Sequence, residues 1–128
     1  MQQPLRFRAL NAIYGVVHLT SDAPVPAWAT KGAFTSITRT PDELSIVCPT
    51  ENLPTEVHSS HRWRCLKLEG PFPFTQTGVL LSFIEPLSGN NVPIFAVSTY
   101  DTDYVLIPEE FAERAIAVLK EAGHVEIQ

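Results

Sequence analysis

The architecture is set in the second half of the chain, where residues 63–107 read WRCLKLEGPFPFTQTGVLLSFIEPLSGNNVPIFAVSTYDTDYVLI. This stretch opens with an alternating segment, Trp63–Glu69, that predicts a strand. A threonine is a suitable N-cap for the helix that we expect over Thr75–Ser88. That helix carries one broad apolar stripe, formed by Val79, Leu80, Phe83, Ile84 and Leu87. Two further strands are expected, at Val92–Thr99 and Tyr104–Ile107.

A second helix and a last strand follow this stretch. Pro108 suits the first turn of a helix, and the two glutamates after it complement the positive end of the helix dipole. Gly123 suits the position just past the end of that helix, and His124–Ile127 predicts a short strand. The order is therefore strand, helix, strand, strand, helix, strand. This order is typical of a ferredoxin-like α+β fold, an antiparallel sheet with both helices on one face.

The first half of the chain contains strand patterns but little helix. We expect strands at Leu5–Leu10, Tyr14–Leu19, Phe34–Thr38 and Leu44–Cys48, with a turn at Asn11. The polar, proline-rich segments between them leave room for a turn or two of helix at most.

The two halves carry a weak internal repeat. The segment ITRTPDELSIV, residues 37–47, aligns without gaps on VSTYDTDYVLI, residues 97–107, at an offset of 60. Both segments soon reach a proline followed by glutamate. The alignment predicts a duplicated unit whose first copy has shrunken helices, although any two β-hairpins share this alternation.

Composition limits the classes of function. The 128 residues are 45% apolar and 18% charged, which is enough for a packed core in a compact domain. The net charge of −5 argues against nucleic acid and anionic membranes as primary partners. Cys48 and Cys65 form no disulfide framework, and residues 1–6 lack the apolar stretch of a signal peptide. We therefore expect a cytoplasmic protein with reduced thiols.

Histidine and cysteine residues raise the question of metal or nucleophilic chemistry. His58, His61 and Cys65, with Cys48 as a fourth ligand, are candidates for a metal site, but their loose spacing includes no Cys-x-x-Cys pair. Alternation places Cys65 on the strand face that carries Lys67, where we expect it to be partly exposed. No nucleophile or phosphate-loop motif accompanies these residues. The sequence therefore predicts no metal site, no catalytic residue and no cofactor.

A small-molecule site is predicted at the start of the first helix. The loop Gly70–Gly78 leads into that helix, whose first backbone N–H groups have no internal partner and favour an anion. The hairpin turn after the next strand carries Thr99, Thr102 and Asp103. A helix end opposite a carboxylate suits a zwitterion, which needs one group for its carboxylate and one for its ammonium. Alternatively, Thr102 and Asp103 only satisfy the turn, and the residues alone do not decide between these readings.

Four segments resemble the small bacterial ACT-domain proteins: Phe34–Pro49, Trp63–Phe74, Thr77–Ser88 and Ile94–Glu110. They are similar to the ACT modules of the CASTOR-type arginine sensors and of aspartate kinases. The resemblance implies two tandem modules, a degenerate ACT-like module over residues 1–60 and a βαββαβ ACT module over residues 61–128.

The resemblance also implies a function. ACT modules are regulatory, bind amino acids at interfaces between modules and often dimerise, so it implies a non-catalytic amino-acid sensor and a homodimer. The ligand-binding positions that it implies are Gln76, Thr77, Gly78, Thr99, Thr102 and Asp103. Gln76 stands where the arginine sensors have an acidic residue, so a carboxylate partner for a guanidinium is missing. The alternative is an interaction or dimerisation module without a ligand, which would use the sheet face bearing Trp63, Cys65 and Lys67.

Overall fold

The computed structural model describes residues 4–59 and 61–128. They form two compact units, a larger one with the residues up to Leu10 and Arg64–Gln128, and a smaller one, Asn11–Trp63. The first strand, β1 (Arg6–Leu19), contributes its beginning to the larger unit and the rest to the smaller unit. The units therefore differ from the segments 1–60 and 61–128, and the division into two related modules stays a prediction.

The smaller unit is built on three antiparallel strands. After β1 come β2 (Ser36–Arg39) and β3 (Leu44–Pro49), in the order β2–β3–β1. Short 3-10 turns lie at Ala27–Thr30 and Thr50–Asn52. The buried cluster of this unit comprises Val17, Ala29, Leu44, Ile46 and Cys48.

The predicted turn at Asn11 was wrong. Asn11 lies exposed within β1, which continues without interruption where two strands were expected. The neighbouring residues, Leu10 and Ala12-Ile13, include no glycine or proline, so nothing in the chain there opposes an extended backbone. Phe34 was expected to begin the next strand, but its ring packs on Tyr14 at 5.9 Å and β2 begins two residues later.

The larger unit combines strands with two helices. Its elements after the beginning of β1 are β4 (Trp63–Leu68), α1 (Val79–Gly89), β5 (Phe95–Ser98), β6 (Asp103–Pro108), a 3-10 turn (Glu109–Phe111), α2 (Ala112–Glu121) and β7 (Val125–Glu126). Strand order in this unit is β5–β6–β4–β1–β7. The predicted order of strand, helix, strand, strand, helix, strand is confirmed, and β5 pairs antiparallel with β6.

The expectation of a wholly antiparallel sheet was wrong at one edge. β7 pairs with β1 in parallel, with Arg6 opposite Val125. The amide of Val125 donates to the carbonyl of Leu5 at 2.8 Å, and the amide of Ile127 donates to that of Phe7 at 2.7 Å. The beginning of β1 therefore lies between β4 and β7. In a simple ferredoxin-like order, the last strand would occupy this position beside β4.

Both helices cover one face of this sheet. Apolar residues from β1, β4 and β6 that alternate toward that face join residues of α1 and α2 in one buried cluster. Its largest members include Phe7, Leu68, Phe83, Ile107 and Leu119. The rings of Phe7 and Phe83 meet edge to face at 5.4 Å, which fixes α1 against β1.

Helix α1 begins three residues later than the sequence predicts, counted from N-cap to N-cap. Its N-cap is Gly78 rather than Thr75, and the first helical bond runs from the amide of Ser82 to the carbonyl of Gly78 at 2.9 Å. Gly78 has a φ of 80°, a left-handed conformation that glycine adopts without steric cost and that interrupts any helix before it. The amide of Gln76 instead closes a turn onto the carbonyl of Pro73 at 2.9 Å.

The two hairpins of the chain match element by element. β2 and β5 begin at residues 36 and 95, β3 and β6 at 44 and 103, and the following 3-10 turns at 50 and 109, an offset of 59 throughout. The loop amides of Thr40 and Thr99 donate to the carbonyls of Glu43 and Thr102 at 2.9 and 2.8 Å. The sequence alignment at an offset of 60 was therefore wrong by one residue. Consecutive apolar residues in β3 and β6 match at either offset, so the apolar pattern does not distinguish 59 from 60.

Among the residues that the structure describes, no helix has the length and apolarity to cross a membrane.

Candidate functional site

A cleft of about 270 Å³ lies in the larger unit between the loop before α1 and the tip of the β5–β6 hairpin. Its lining comprises Phe72, Pro73, Phe74, Gln76, Val79, Ser98, Thr99, Tyr100, Asp101, Thr102 and Asp103. Four of the six predicted ligand-binding residues are brought together here: Gln76, Thr99, Thr102 and Asp103. Thr77 and Gly78 are not part of the lining, because the chain turns away at the left-handed glycine before α1 begins.

The hairpin tip is held by its two threonines. The amide and the hydroxyl of Thr99 both donate to the carbonyl of Thr102, at 2.8 and 3.1 Å. The hydroxyl of Thr102 is buried and donates to the carbonyl of Leu68 on β4 at 2.8 Å. These bonds fix the tip against the sheet, and they use the donor capacity of both hydroxyls while leaving acceptor capacity on each oxygen.

Asp103 is the first residue of β6 and is half-buried. The hydroxyl of Ser98, directly opposite in the ladder, donates a short hydrogen bond to Oδ1 of the Asp103 carboxylate. That bond orients the carboxylate and engages one of its two oxygens. The structure thus contains the turn-stabilising contact that the sequence offered as an alternative, together with a carboxylate that lines the cleft.

The opposite wall of the cleft is anchored to the hairpin through its backbone. The amide of Phe72 donates to the carbonyl of Asp101 at 2.8 Å. Gly70 lies so close to the hairpin that a Cβ there would stand 2.9 Å from the same carbonyl and 3.1 Å from Cβ of Thr102. Glycine at this position therefore permits the contact that sets the width of the cleft.

The start of α1 opens toward the cleft. Val79 is both the first residue of the helix and part of the lining. None of the side chains that the structure describes caps this helix end. The unpartnered amides of the first turn therefore begin at Val79, not at Thr75 as predicted, and they provide partial positive charge beside the cleft.

None of the three aromatic residues of the lining, Phe72, Phe74 and Tyr100, was predicted from the sequence, and two of them are almost fully exposed. Phe74 and Tyr100 are 95% and 97% exposed, although both line the cleft. A usable signal was present, because Tyr100 occupies the tip of a four-residue hairpin loop and Phe74 follows a proline in a turn. Connecting segments of this kind usually run over the surface.

Neither cysteine is suited to act as a nucleophile. Cys65 is fully buried, which contradicts the expectation that it is partly exposed, and burial raises its pKa to about 12. Burial likewise raises the pKa of the Cys48 thiol to about 11. Both therefore remain protonated and poorly nucleophilic near neutral pH. Within residues 4–59 and 61–128, no group of three or more His, Cys, Asp or Glu side chains is placed to hold a metal ion.

Solved structures with the same fold include close and distant relatives. A structural-genomics protein from Agrobacterium tumefaciens is 42% identical, covers 98% of this chain and 94% of its own, and superposes with a TM-score of 0.91. The regulatory subunit of aspartate kinase from Thermus thermophilus shares the fold at a TM-score of 0.56 and 16% identity, over 94% of this chain and 95% of that one.

A human relative is named cytosolic arginine sensor for mTORC1 subunit 1 and is 28% identical over 108 residues, which is 78% of this chain. This chain spans about a third, 32%, of the length of that relative.

Two family models match the chain in succession. One that describes an N-terminal domain matches residues 12–56. The model of the ACT domain matches residues 58–121, which include β4, both helices and the cleft. Since that match alone covers half of the sequence, the chain belongs to the ACT-domain family.

Proposed function

We propose that this protein is a non-catalytic cytoplasmic regulator that binds a small amino acid in the cleft of its larger unit, without a cofactor. A second copy of the chain completes the site, as a module interface in a homodimer. The observation that carries the proposal is a carboxylate, Asp103, that lines the same cleft as Val79 at the start of α1.

Each end of a zwitterion finds a partner in this arrangement. The ammonium group pairs with the Asp103 carboxylate, and Gln76 and the threonine oxygens supply further acceptors. The ligand carboxylate takes the open amides of the first turn of α1. Charge-assisted hydrogen bonds of this kind each contribute about 1.5–3 kcal/mol, so both ends of the ligand add to its affinity.

The matching hairpins support a duplication and a single site per chain. At the offset of 59, Thr40 corresponds to Thr99, but Leu44 corresponds to Asp103. Leu44 is fully buried in the core of the smaller unit. The first module, over residues 1–60, is thus a degenerate copy that retains the hairpin and lacks the carboxylate, and the ACT module over residues 61–128 carries the ligand.

The relatives support the regulatory part of the proposal. One is named as an arginine sensor, and another is the regulatory subunit of an amino-acid kinase. The first name describes the sensing of an amino acid and the second a regulatory role, and the proposal combines the two. The name of the aspartate kinase subunit does not identify the ligand of this chain, because the two sequences are only 16% identical.

Calorimetric titration with each of the twenty amino acids tests the proposal. We expect at least one to bind, and Asp103→Asn to weaken it by about 10- to 100-fold, because the variant keeps the acceptor for Ser98 and removes only the charge. Asp42→Asn, the same change at the tip of the other hairpin, is the matched control and should leave binding unchanged. Failure of all twenty to bind folded protein would contradict the proposal.

A second candidate function is a ligand-independent dimerisation module. The nearly complete exposure of Phe74 and Tyr100 favours it, since such rings often mark contact surfaces. The face proposed for it from sequence is less suitable, because Cys65 is buried. Light scattering with and without amino acids separates the two: a dimer unaffected by every amino acid, with no thermal shift, supports this candidate.

A further inference from the structure

Two aromatic side chains in the cleft have no role in holding the fold. Phe74 and Tyr100 are the two large apolar residues, among those that the structure describes, with more than nine-tenths of their surface exposed. They belong to different segments, the loop before α1 and the hairpin tip, yet both line the same cleft. Two exposed rings that line one cleft form an apolar surface that a ligand can cover, and covering them would recover the stabilisation that burial brings.

The rest of the lining indicates what these rings contact. Phe72 and Val79 extend the apolar surface inward, and the charged residues among those that line the cleft are two carboxylates, Asp101 and Asp103. Asp103 is half-buried and oriented by Ser98, whereas Asp101 is exposed and contributes its backbone carbonyl to the loop contact. The cleft thus has one ordered anionic group and several apolar side chains in its lining.

From this geometry we propose that the bound amino acid has a large apolar side chain, which lies between Phe74 and Tyr100. The inference rests on the proposed function, since it assigns the side-chain subsite of the same cleft. Asp103 is committed to the ammonium group, so a cationic side chain would have only the exposed Asp101 as a partner. An apolar side chain buries both rings together with its own surface and requires no polar partner.

The size of the cleft agrees with such a ligand. Its volume of about 270 Å³ lies just below the range typical of drug-sized ligands, about 300–1,000 Å³, and suits one metabolite of amino-acid size. Hydrophobic subsites discriminate by roughly 10–200-fold per methylene. We therefore expect leucine, isoleucine, methionine or phenylalanine to bind at least about 10-fold more tightly than alanine.

The experiment compares these apolar amino acids with glycine, alanine and serine, and with lysine and arginine, by titration calorimetry. Phe74→Ala and Tyr100→Ala should each weaken binding of the preferred apolar amino acid by at least about 10-fold, and binding of alanine by much less. Because both side chains are exposed, neither change should disturb folding. Val25→Ala is the matched control: Val25 is an exposed apolar residue of the smaller unit, outside the cleft lining, and its loss should leave binding unchanged.

Three results would overturn the inference, and they differ in what else they overturn. Tight binding of lysine or arginine alone, or of glycine or serine alone, would exclude the apolar subsite and leave the amino-acid cleft in place. Dissociation of an unliganded dimer by Tyr100→Ala, with no change in the relative affinities for apolar amino acids and alanine, would assign the rings to a second copy. If no amino acid binds the folded protein, the cleft is not an amino-acid site, and the proposed function fails together with this inference.

Discussion

The hydrogen bonds of His124 allow a quantitative prediction about what holds the ends of the larger unit together. This buried ring accepts at Nδ1 from the amide of Leu5 at 3.0 Å, across 119 residues of sequence. An N–H can only donate, so the ring proton is on Nε2, which donates to the carbonyl of Ser82 at 3.1 Å. One side chain thereby connects the residue that precedes β1, helix α1 and the segment that leads into β7.

Replacing this ring tests that connection. His124→Leu leaves a buried amide without its acceptor, at about 1–3 kcal/mol, and also loses the bond to Ser82, at about 0.5–1.5 kcal/mol. We expect a decrease of roughly 2–4 kcal/mol in the free energy of unfolding, measured by urea denaturation. His124→Asn should recover part of this loss, since its side-chain oxygen can still accept from Leu5.

The control is His18→Leu, a replacement of an exposed histidine on β1 that should change stability by less than about 0.5 kcal/mol. Hydrogen exchange supplies a local readout: the amides of Leu5 and Ile127, at the β1–β7 pairing, should lose protection in His124→Leu before the rest of the sheet. Equal losses of stability in the leucine and asparagine variants, or no loss in either, would contradict the role of the ring as the acceptor for Leu5.

Three further predictions concern other parts of the larger unit. Gly70→Ala should lower stability by about 1–3 kcal/mol in thermal unfolding, because its Cβ would press on the carbonyl of Asp101, and it should also weaken any amino-acid binding. The hydrogen-bonded Arg8 guanidinium lowers the pKa of Glu69, so the stability from this pair is present above the unfolded pKa of ~4.3 and lost as pH falls through the lower folded value. The difference in stability between the wild-type protein and Glu69→Gln should therefore shrink as acid is added. Cys65 should resist a thiol reagent at neutral pH and react only after denaturant is added.

Much of the larger unit could be predicted from periodicity because its strands and helices carry strong apolar patterns. The alternation of β4 and the apolar stripe of α1 located both elements. The parallel pairing of β7 with β1 could not be predicted in this way. It depends on residues at opposite ends of the chain, and a two-residue strand carries no pattern of its own.

Local competition between signals explains the error at the start of α1. Thr75 is a good N-cap by composition, but Gly78 adopts a left-handed conformation that ends the preceding loop. Capping propensity identifies residues that can begin a helix, but it does not decide between two candidates such as Thr75 and Gly78. The loop before α1 is shaped by its contact with the hairpin at Asp101, which only the folded structure shows.

The candidate site was predicted in part for a similar reason. Residue chemistry singled out Asp103 and the hairpin threonines, since carboxylates and hydroxyls can be recognised wherever they occur. Phe74 and Tyr100 were not recognised, because in a sequence an aromatic residue is first assigned to the core. Their importance lies in being exposed at the same place, which is a property of the fold and not of either segment.

The most direct test of the account is a titration of the isotopically labelled protein with leucine, followed by the backbone amide signals in two-dimensional NMR. We predict saturable shifts confined to residues 72–76, the first turn of α1 and residues 99–103, and the loss of these shifts in Asp103→Asn. Saturable shifts elsewhere in the chain, with none at these three segments, would contradict the proposed site.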